Sequence, residues 1–171
     1  MAARKPARKK TDPVAPEPLN EPAARVLRQF RLVFNTVKTH FRAVEKKAGL
    51  AGAQVWALSI LAEQPGIGVS QLARAMDIHQ STASNLLKPL VERGLVVADR
   101  SGTDRRAVQL GITPQGTRVL KKAPAPFSGV LPEALATLDA ATLARLDRDL
   151  GKLIDVLGAD ARAAGVPLGQ P

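Results

Sequence analysis

The chain of 171 residues contains no cysteine. That excludes disulfides, thiolate nucleophiles, zinc–thiolate centres and cysteine-based redox sensing. Aromatic residues make up only 3%, so any core must be built from Leu, Val, Ile and Ala. No apolar run approaches the length of a membrane span, and the basic N-terminus is not followed by the apolar stretch of a secretory signal. The two histidines, His40 and His79, stand alone, and the sequence offers neither a Gly-rich phosphate loop nor metal-ligand spacing. An enzyme needs convergent acid, base or nucleophile groups. These absences predict a non-enzymatic cytoplasmic protein with no metal, no cofactor and no membrane partner.

What is present is apolar residue, at 45%, and positive charge, at a formal net +10. A balance this basic points to a polyanion, above all nucleic acid. About half of the excess sits in Arg4, Lys5, Arg8, Lys9 and Lys10. Residues 1–21 are rich in Lys, Arg, Pro and Ala without apolar periodicity, and read as a disordered tail able to add non-specific phosphate contacts. Residues 161–171 read as a second flexible tail.

Between the tails the apolar pattern is mainly helical. Val26, Phe30, Val33, Val37, Phe41 and Val44 recur at steps of four and three, with Leu27 and Phe34 beside them. This predicts a first helix over 22–50, closed by Gly49, whose wide apolar arc needs burial beyond its own domain. A central helix follows from about Ala51 to Gln64, apolar on most sides and stopped by Pro65-Gly66. Next comes a short helix from Ser70, its expected N-cap, to Met76, then a turn at Asp77-Ile78-His79. An amphipathic helix from Gln80 to Arg93 carries Ala83, Leu86, Leu87, Leu90 and Val91 on one stripe. The period then changes: Leu95–Arg100 and Ala107–Ile112 read as strands joined by a turn, a hairpin with a basic tip. Thr113-Pro114 opens another helix, which Pro124, Pro126 and Pro132 should break. Asp139 caps a last helix in which Leu143, Leu146, Leu150, Leu153 and Leu157 follow steps of 3, 4, 3, 4, the spacing of a coiled-coil seam. The expected fold is therefore mainly α with a small β-hairpin wing. A winged helix-turn-helix lobe (51–113) lies between an N-terminal dimerisation helix (22–50) and C-terminal dimerisation helices (114–160). Phe30, Val33, Val37 and the five leucines are the expected two-fold contacts.

Short helix, turn, amphipathic helix and hairpin, in that order, suit double-stranded DNA. A helix fits the major groove, and its outward residues must be small and polar to approach base edges. Ser81, Thr82, Ser84, Asn85 and Lys88 are of that kind: Asn85 can pair with adenine, and Lys88 suits a phosphate or a guanine. Ser70, Gln71 and Gln80 complete the expected contacts on the two helices. Arg105 and Arg106 at the hairpin tip can reach an adjacent minor groove or its phosphates. The competing reading is an architectural DNA-binding protein of low specificity, driven by charge and the basic tail.

From about residue 25 to 157 the sequence resembles the MarR family of bacterial transcriptional regulators. The resemblance is carried by Ala53-Gln54-Val55-Trp56-Ala57-Leu58, Val69-Ser70-Gln71-Leu72-Ala73, Gln80-Ser81-Thr82-Ala83-Ser84-Asn85-Leu86 and Glu92-Arg93-Gly94-Leu95-Val96. The most specific string is Asp104-Arg105-Arg106 through Thr113-Pro114-Gln115-Gly116, similar to the family's wing and the helix start that follows it. The resemblance implies a homodimer on a pseudo-palindromic operator, usually a repressor, associated with the bacterial nucleoid. It implies a small, often aromatic effector in the cleft between dimer interface and DNA-binding lobe. His40 and Trp56 are the candidate pocket residues, with a surface histidine and a core tryptophan as the competing readings. It further implies that Asp104 orients a wing arginine and that Arg106 probes the minor groove. The chain departs from the family at Asp77, where Gly is usual, at His79, a weak cap where Ser or Thr is usual, at Pro89 inside the recognition helix, and at Ala123-Pro124-Ala125-Pro126.

Overall fold

The computed structural model describes residues 20–99 and 108–169. Seven helices and one hairpin follow in the order α1 (Glu21–Ala48), α2 (Gly52–Glu63), α3 (Val69–Ala75), α4 (Gln80–Glu92), β1 (Val96–Asp99), β2 (Gln109–Ile112), α5 (Pro114–Leu120), α6 (Val130–Ala136) and α7 (Ala140–Leu157). The mainly helical fold with a two-stranded wing is the expected one.

The core is aliphatic. Val55, Leu58, Leu61, Leu72, Leu90 and Leu95 are at most 1% exposed, and α2 is buried on nearly every side. Each such side chain contributes roughly 1.5–3 kcal/mol of burial. Ser59, the buried hydroxyl of α2, donates to the Trp56 carbonyl at 2.8 Å and so costs little. In α1 burial changes along the axis. Val44 and Ala48 enter the core, whereas Val26, Leu32, Val33 and Phe34 are 42–69% exposed. The helix is rooted in the lobe at its C-terminal end and leaves its N-terminal half uncovered.

Helix boundaries follow local chemistry. Asn20 caps α1 through its side chain, which accepts from the Ala23 N–H at 2.9 Å, so the helix starts at Glu21, inside the stretch expected to be a disordered tail. Gly49, at φ 66°, closes it. Ser70 is not the cap of α3. The cap is Gly68, two residues earlier, and the helix starts at Val69, because the Gln71 side chain folds back to accept the Gly68 N–H at 2.8 Å. Asp77 takes φ 52°, the left-handed conformation that short polar side chains tolerate. His79 caps α4 without a side-chain hydrogen bond, and α4 runs through Pro89 unbroken. The strands pair antiparallel, Val96 opposite Ile112 and Ala98 opposite Leu110. Val96 and Leu110 face the core while Val97 faces out. The prolines separate α5 from α6, as expected.

Asp139 caps α7, accepting from the Thr142 N–H at 2.9 Å and its hydroxyl at 2.7 Å. The Thr142 hydroxyl hydrogen bond holds the Asp139 carboxyl below its ordinary range. A depressed carboxyl contributes stability above its unfolded pKa and loses it as pH falls through the folded value. Amide exchange at Thr142 should therefore accelerate on acidification in the native chain and be pH-independent, beyond intrinsic exchange, in Asp139→Ala. Equal protection in both chains at neutral pH would disprove the cap.

The C-terminal segment is not the loose tail read from sequence. Ala161–Gly165 form a 3-10 turn capped by Asp160, and the chain continues to Gly169 against the body of the fold. The segment is too short for apolar periodicity to reveal this packing, which is made largely by backbone.

Candidate nucleic-acid interface

The helix-turn-helix is α3, the Asp77–His79 turn and α4. Leu72 and Ala73 of α3, Met76 just after it, and Ala83, Leu86, Leu87 and Leu90 of α4 are buried, which leaves the opposite face of α4 in solvent. Ser81, Ser84, Asn85 and Lys88 all lie on that face and are exposed. Thr82 is half-buried at its edge.

Four of the expected contact residues, Ser70, Gln71, Gln80 and Ser84, already have partners. The Ser70 hydroxyl donates to Gln80 Oε1 at 3.1 Å, which links the two helices across the turn. The Ser84 hydroxyl donates back to the Gln80 carbonyl at 2.9 Å. Gln71 Oε1 is held by the Gly68 N–H, so only its amide nitrogen remains to face a ligand. Asn85 is different: its side chain has no partner among the described residues, and Pro89, four residues on, has no N–H to give its carbonyl. Asn85 thus carries the most uncommitted hydrogen-bonding capacity on the face.

The ion pairs among the described residues lie elsewhere, on α1 (Glu21 with Arg28, 3.0 Å), on α7 (Asp149 with Lys152, 3.0 Å) and in the C-terminal segment (Asp160 with Arg162, 2.8 Å). Lys88 on α4 and Arg74 on α3 have none among those residues, so their charge is available to a polyanion. Asp104, Arg105 and Arg106 lie outside the described residues.

Sequence reasoning missed how the wing is fastened. The Gly66 N–H donates to the Leu110 carbonyl and the Leu110 N–H to the Ile67 carbonyl, both at 2.9 Å. Two residues after α2 thereby pair with β2, too few to leave an alternating pattern in the sequence. Between this pairing and α4 lies a depression of about 510 Å³ lined by Gly68, Ser70, Gln71, Gln80, Val108 and Gln109. It brings Ser70, Gln71 and Gln80 together with the wing strand. Gln109, absent from the sequence-based set, joins them.

The expected dimerisation residues form an open apolar arm. Val26 and Phe30 of α1 face Leu146, Leu150 and Leu153 of α7 across a groove of about 420 Å³. Phe30 stacks on Phe34 with centroids 6.0 Å apart. Leu143, Leu146, Leu150 and Leu153 are each 37–39% exposed and Leu157 68%. Val33 is exposed and Val37 half-buried.

The two candidate effector residues are not brought together. Trp56 is half-buried against the core. His40 lines a shallow depression with Leu32, Asn35, Thr36, Thr39 and Val130, and its buried Nε2 has no hydrogen-bond partner among the described residues. A separate cavity of about 430 Å³ opens one helix face away, walled by Phe34, Val37 and Phe41 and rimmed by Lys38, Arg42 and Glu45. Leu168 and Gly169 close its far side. A contribution from the C-terminal segment left no signal in the sequence.

A family model described as MarR family matches residues 48–107, from the end of α1 through α4 and β1 into the wing. Over 117 residues, 68% of this chain, the sequence is 33% identical to a putative transcriptional regulatory protein for the hcr operon of Thauera aromatica. Over 55 residues, 32% of this chain, it is 36% identical to the HTH-type transcriptional regulator Hpr of Exiguobacterium sibiricum. These matches cover 66% of the first relative and 29% of the second. A MepR-like protein crystallised with pseudoligands superposes with a TM-score of 0.55 at 19% identity, covering 82% of this chain and 100% of that one. At that identity the likeness concerns the fold. No helix among the described residues is long and apolar enough to cross a membrane.

Proposed function

The chain belongs to the MarR family of winged helix-turn-helix transcriptional regulators, and from that premise we propose that it binds a pseudo-palindromic operator as a homodimer and is released by a small effector. The observation that carries DNA binding is the exposed face of α4. There Ser81, Asn85 and Lys88 stand clear of the core, and the nearby cations lack partners among the described residues. The α4 face reads bases in the major groove, and Lys88 and Arg74 neutralise phosphates. Arg105 and Arg106 extend the contact from the wing, with Asp104 orienting one of them. Dimerisation runs through the uncovered halves of α1 and α7, because one protomer leaves Leu143, Leu146, Leu150 and Leu153 only partly shielded. A two-fold axis doubles the reading head and matches a two-fold operator. Repression follows when the operator overlaps a promoter.

The open cavity walled by Phe34, Val37 and Phe41 suits an aromatic effector, with Lys38 and Arg42 able to meet an acidic group. Neither Trp56, half-buried against the core, nor His40, on a neighbouring depression, lines this cavity.

Footprinting on fragments of the source genome tests the operator reading. Protection of a two-fold site, at least about a thousandfold tighter than bulk DNA, is expected of a specific regulator. Comparable affinity for every fragment would instead indicate an architectural protein. Within the operator, Asn85→Ala should cost about 1–3 kcal/mol and relax base preference at one position per half-site. An equal loss on all sequences would reduce Asn85 to a positioning contact.

A further inference from the structure

The C-terminal segment touches the fold at two places that concern function. Its first anchor is the helix-turn-helix turn. The His79 N–H donates to the Gly165 carbonyl at 3.4 Å, and Ala161, Ala164 and Gly165 face Asp77, Ile78 and His79 across a depression of about 260 Å³. The His79 ring lies so close over Gly165 that a Cβ there would strike it. The second anchor is the cavity wall. The Ala53 N–H donates to the Gly169 carbonyl at 3.4 Å, and a Cβ at Gly169 would come within 2.6 Å of the Phe41 ring. Three residues of chain, Val166 to Leu168, join the two anchors, so the segment spans from the mouth of the cavity to the head of α4.

The first anchor occupies a functional position. The first N–H groups of a helix have no partner within it and form an anion site. A recognition helix enters the groove with its N-terminal residues leading. The N–H of His79, the residue that caps α4, is the one the Gly165 carbonyl takes. The segment brings no compensating positive charge: its only ionised side chains, Asp160 and Arg162, neutralise each other at 2.8 Å. Both anchoring hydrogen bonds are long, and long bonds are weak.

We propose that residues 159–169 are an autoinhibitory strap, in which the Gly165 carbonyl holds the His79 N–H at the head of the recognition helix in place of a DNA phosphate. This rests on the reading that α4 meets DNA. Because Leu168 and Gly169 form the far wall of the cavity beside Phe41, the state of that cavity sets whether the strap is seated.

Two variants release the strap without touching the DNA-facing residues. One is Gly165→Val/Gly169→Val in the full chain, which places a Cβ against each anchoring ring. The other ends the chain after Gly158, the residue that closes α7. The probe is a mixed-sequence duplex of about 30 base pairs, long enough for two half-sites. Both variants should bind it about three- to tenfold tighter than the wild type, the factor by which a seated strap withholds the binding-competent state. The His79 amide should also exchange with solvent faster in both. Wild-type affinity in both variants, or weaker binding in either, would overturn the strap. Failure of every chain, wild type included, to bind any duplex would instead overturn the DNA reading beneath it. His79 protection unchanged by truncation would remove the contact itself.

Discussion

Leu150→Lys should convert the protein to a monomer of 18.1 kDa and lower operator affinity by about two to four orders of magnitude, the gain that joining two half-site binding events provides. Leu150 lies in the middle of the α7 row, facing Val26 and Phe30 across the groove, and is 39% exposed in the single chain. Half-covered by its own protomer, it has the remaining surface free for a partner. An ammonium at this place would have to leave water on association, and the carboxylate that lines the groove, Asp149, is already paired with Lys152 at 3.0 Å. The variant should still fold, since the core of the lobe is drawn from α1 to α5 and the strands and includes no residue of α7. Light scattering at micromolar concentration and circular dichroism separate the two effects. A species at twice the chain mass with native DNA affinity would place the dimer contact elsewhere. A monomeric wild type with tight operator binding would remove the dimer altogether.

Gly116→Val should have the largest effect on stability, about 3 kcal/mol or more, at the upper end for forcing atoms into a packed site. A Cβ at Gly116 would strike the Leu95 carbonyl and come within 2.8 Å of Ile112 Cγ1. The carbonyl is not free to yield. The Leu95 carbonyl accepts the Thr113 N–H at 3.0 Å, the Thr113 hydroxyl reaches the Gly94 carbonyl at 2.8 Å, and Gly116 donates to that same hydroxyl at 3.0 Å. The start of α5 is thereby tied to the entry of β1, and the wing hangs from this junction. For a chain of this length, such a loss lowers the melting temperature by roughly 6–12 °C. DNA affinity should fall with it, because the wing is no longer held beside α4. Thermal melting within 2 °C of wild type, an interval of about 1 kcal/mol or less at this size, would mean that the β1–α5 junction relaxes freely.

The strap adds a kinetic consequence to these equilibrium effects. If it must leave before the groove is entered, its release precedes docking. The wild type should then associate more slowly than the truncated chain while dissociating at a similar rate.

Much of the fold was legible because its signals are local. The α4 stripe of Ala83, Leu86, Leu87 and Leu90 repeats within one helix, and all four are buried. Thr113 and Asp139 cap helices through residues three positions on. The outward set on α4 was legible for the same reason, since a helix that buries one stripe must expose the other. Where local chemistry offered two solutions, the reading slipped. Ser70 is a good N-cap by type, but Gln71 supplies a stronger closure at Gly68 and moves the start of α3 to Val69. Nothing local in the sequence places His40 and Trp56 relative to one another; His40 lines a depression and Trp56 packs against the core.

Composition and period alone therefore determined an aliphatic, mainly helical chain with a helix-turn-helix, a wing and two apolar helices in need of cover. These properties depend on neighbours within about one helical turn or on alternation along a strand. The tertiary structure decided what no spacing encodes. Phe41 rather than Trp56 walls the open cavity, Gly66 and Ile67 fasten the wing, and Gly165 reaches the cap of the recognition helix. The last two are made by backbone groups far apart in the chain. A carbonyl is the same in every residue, and a glycine marks only where space is short, so such contacts leave no side-chain pattern behind.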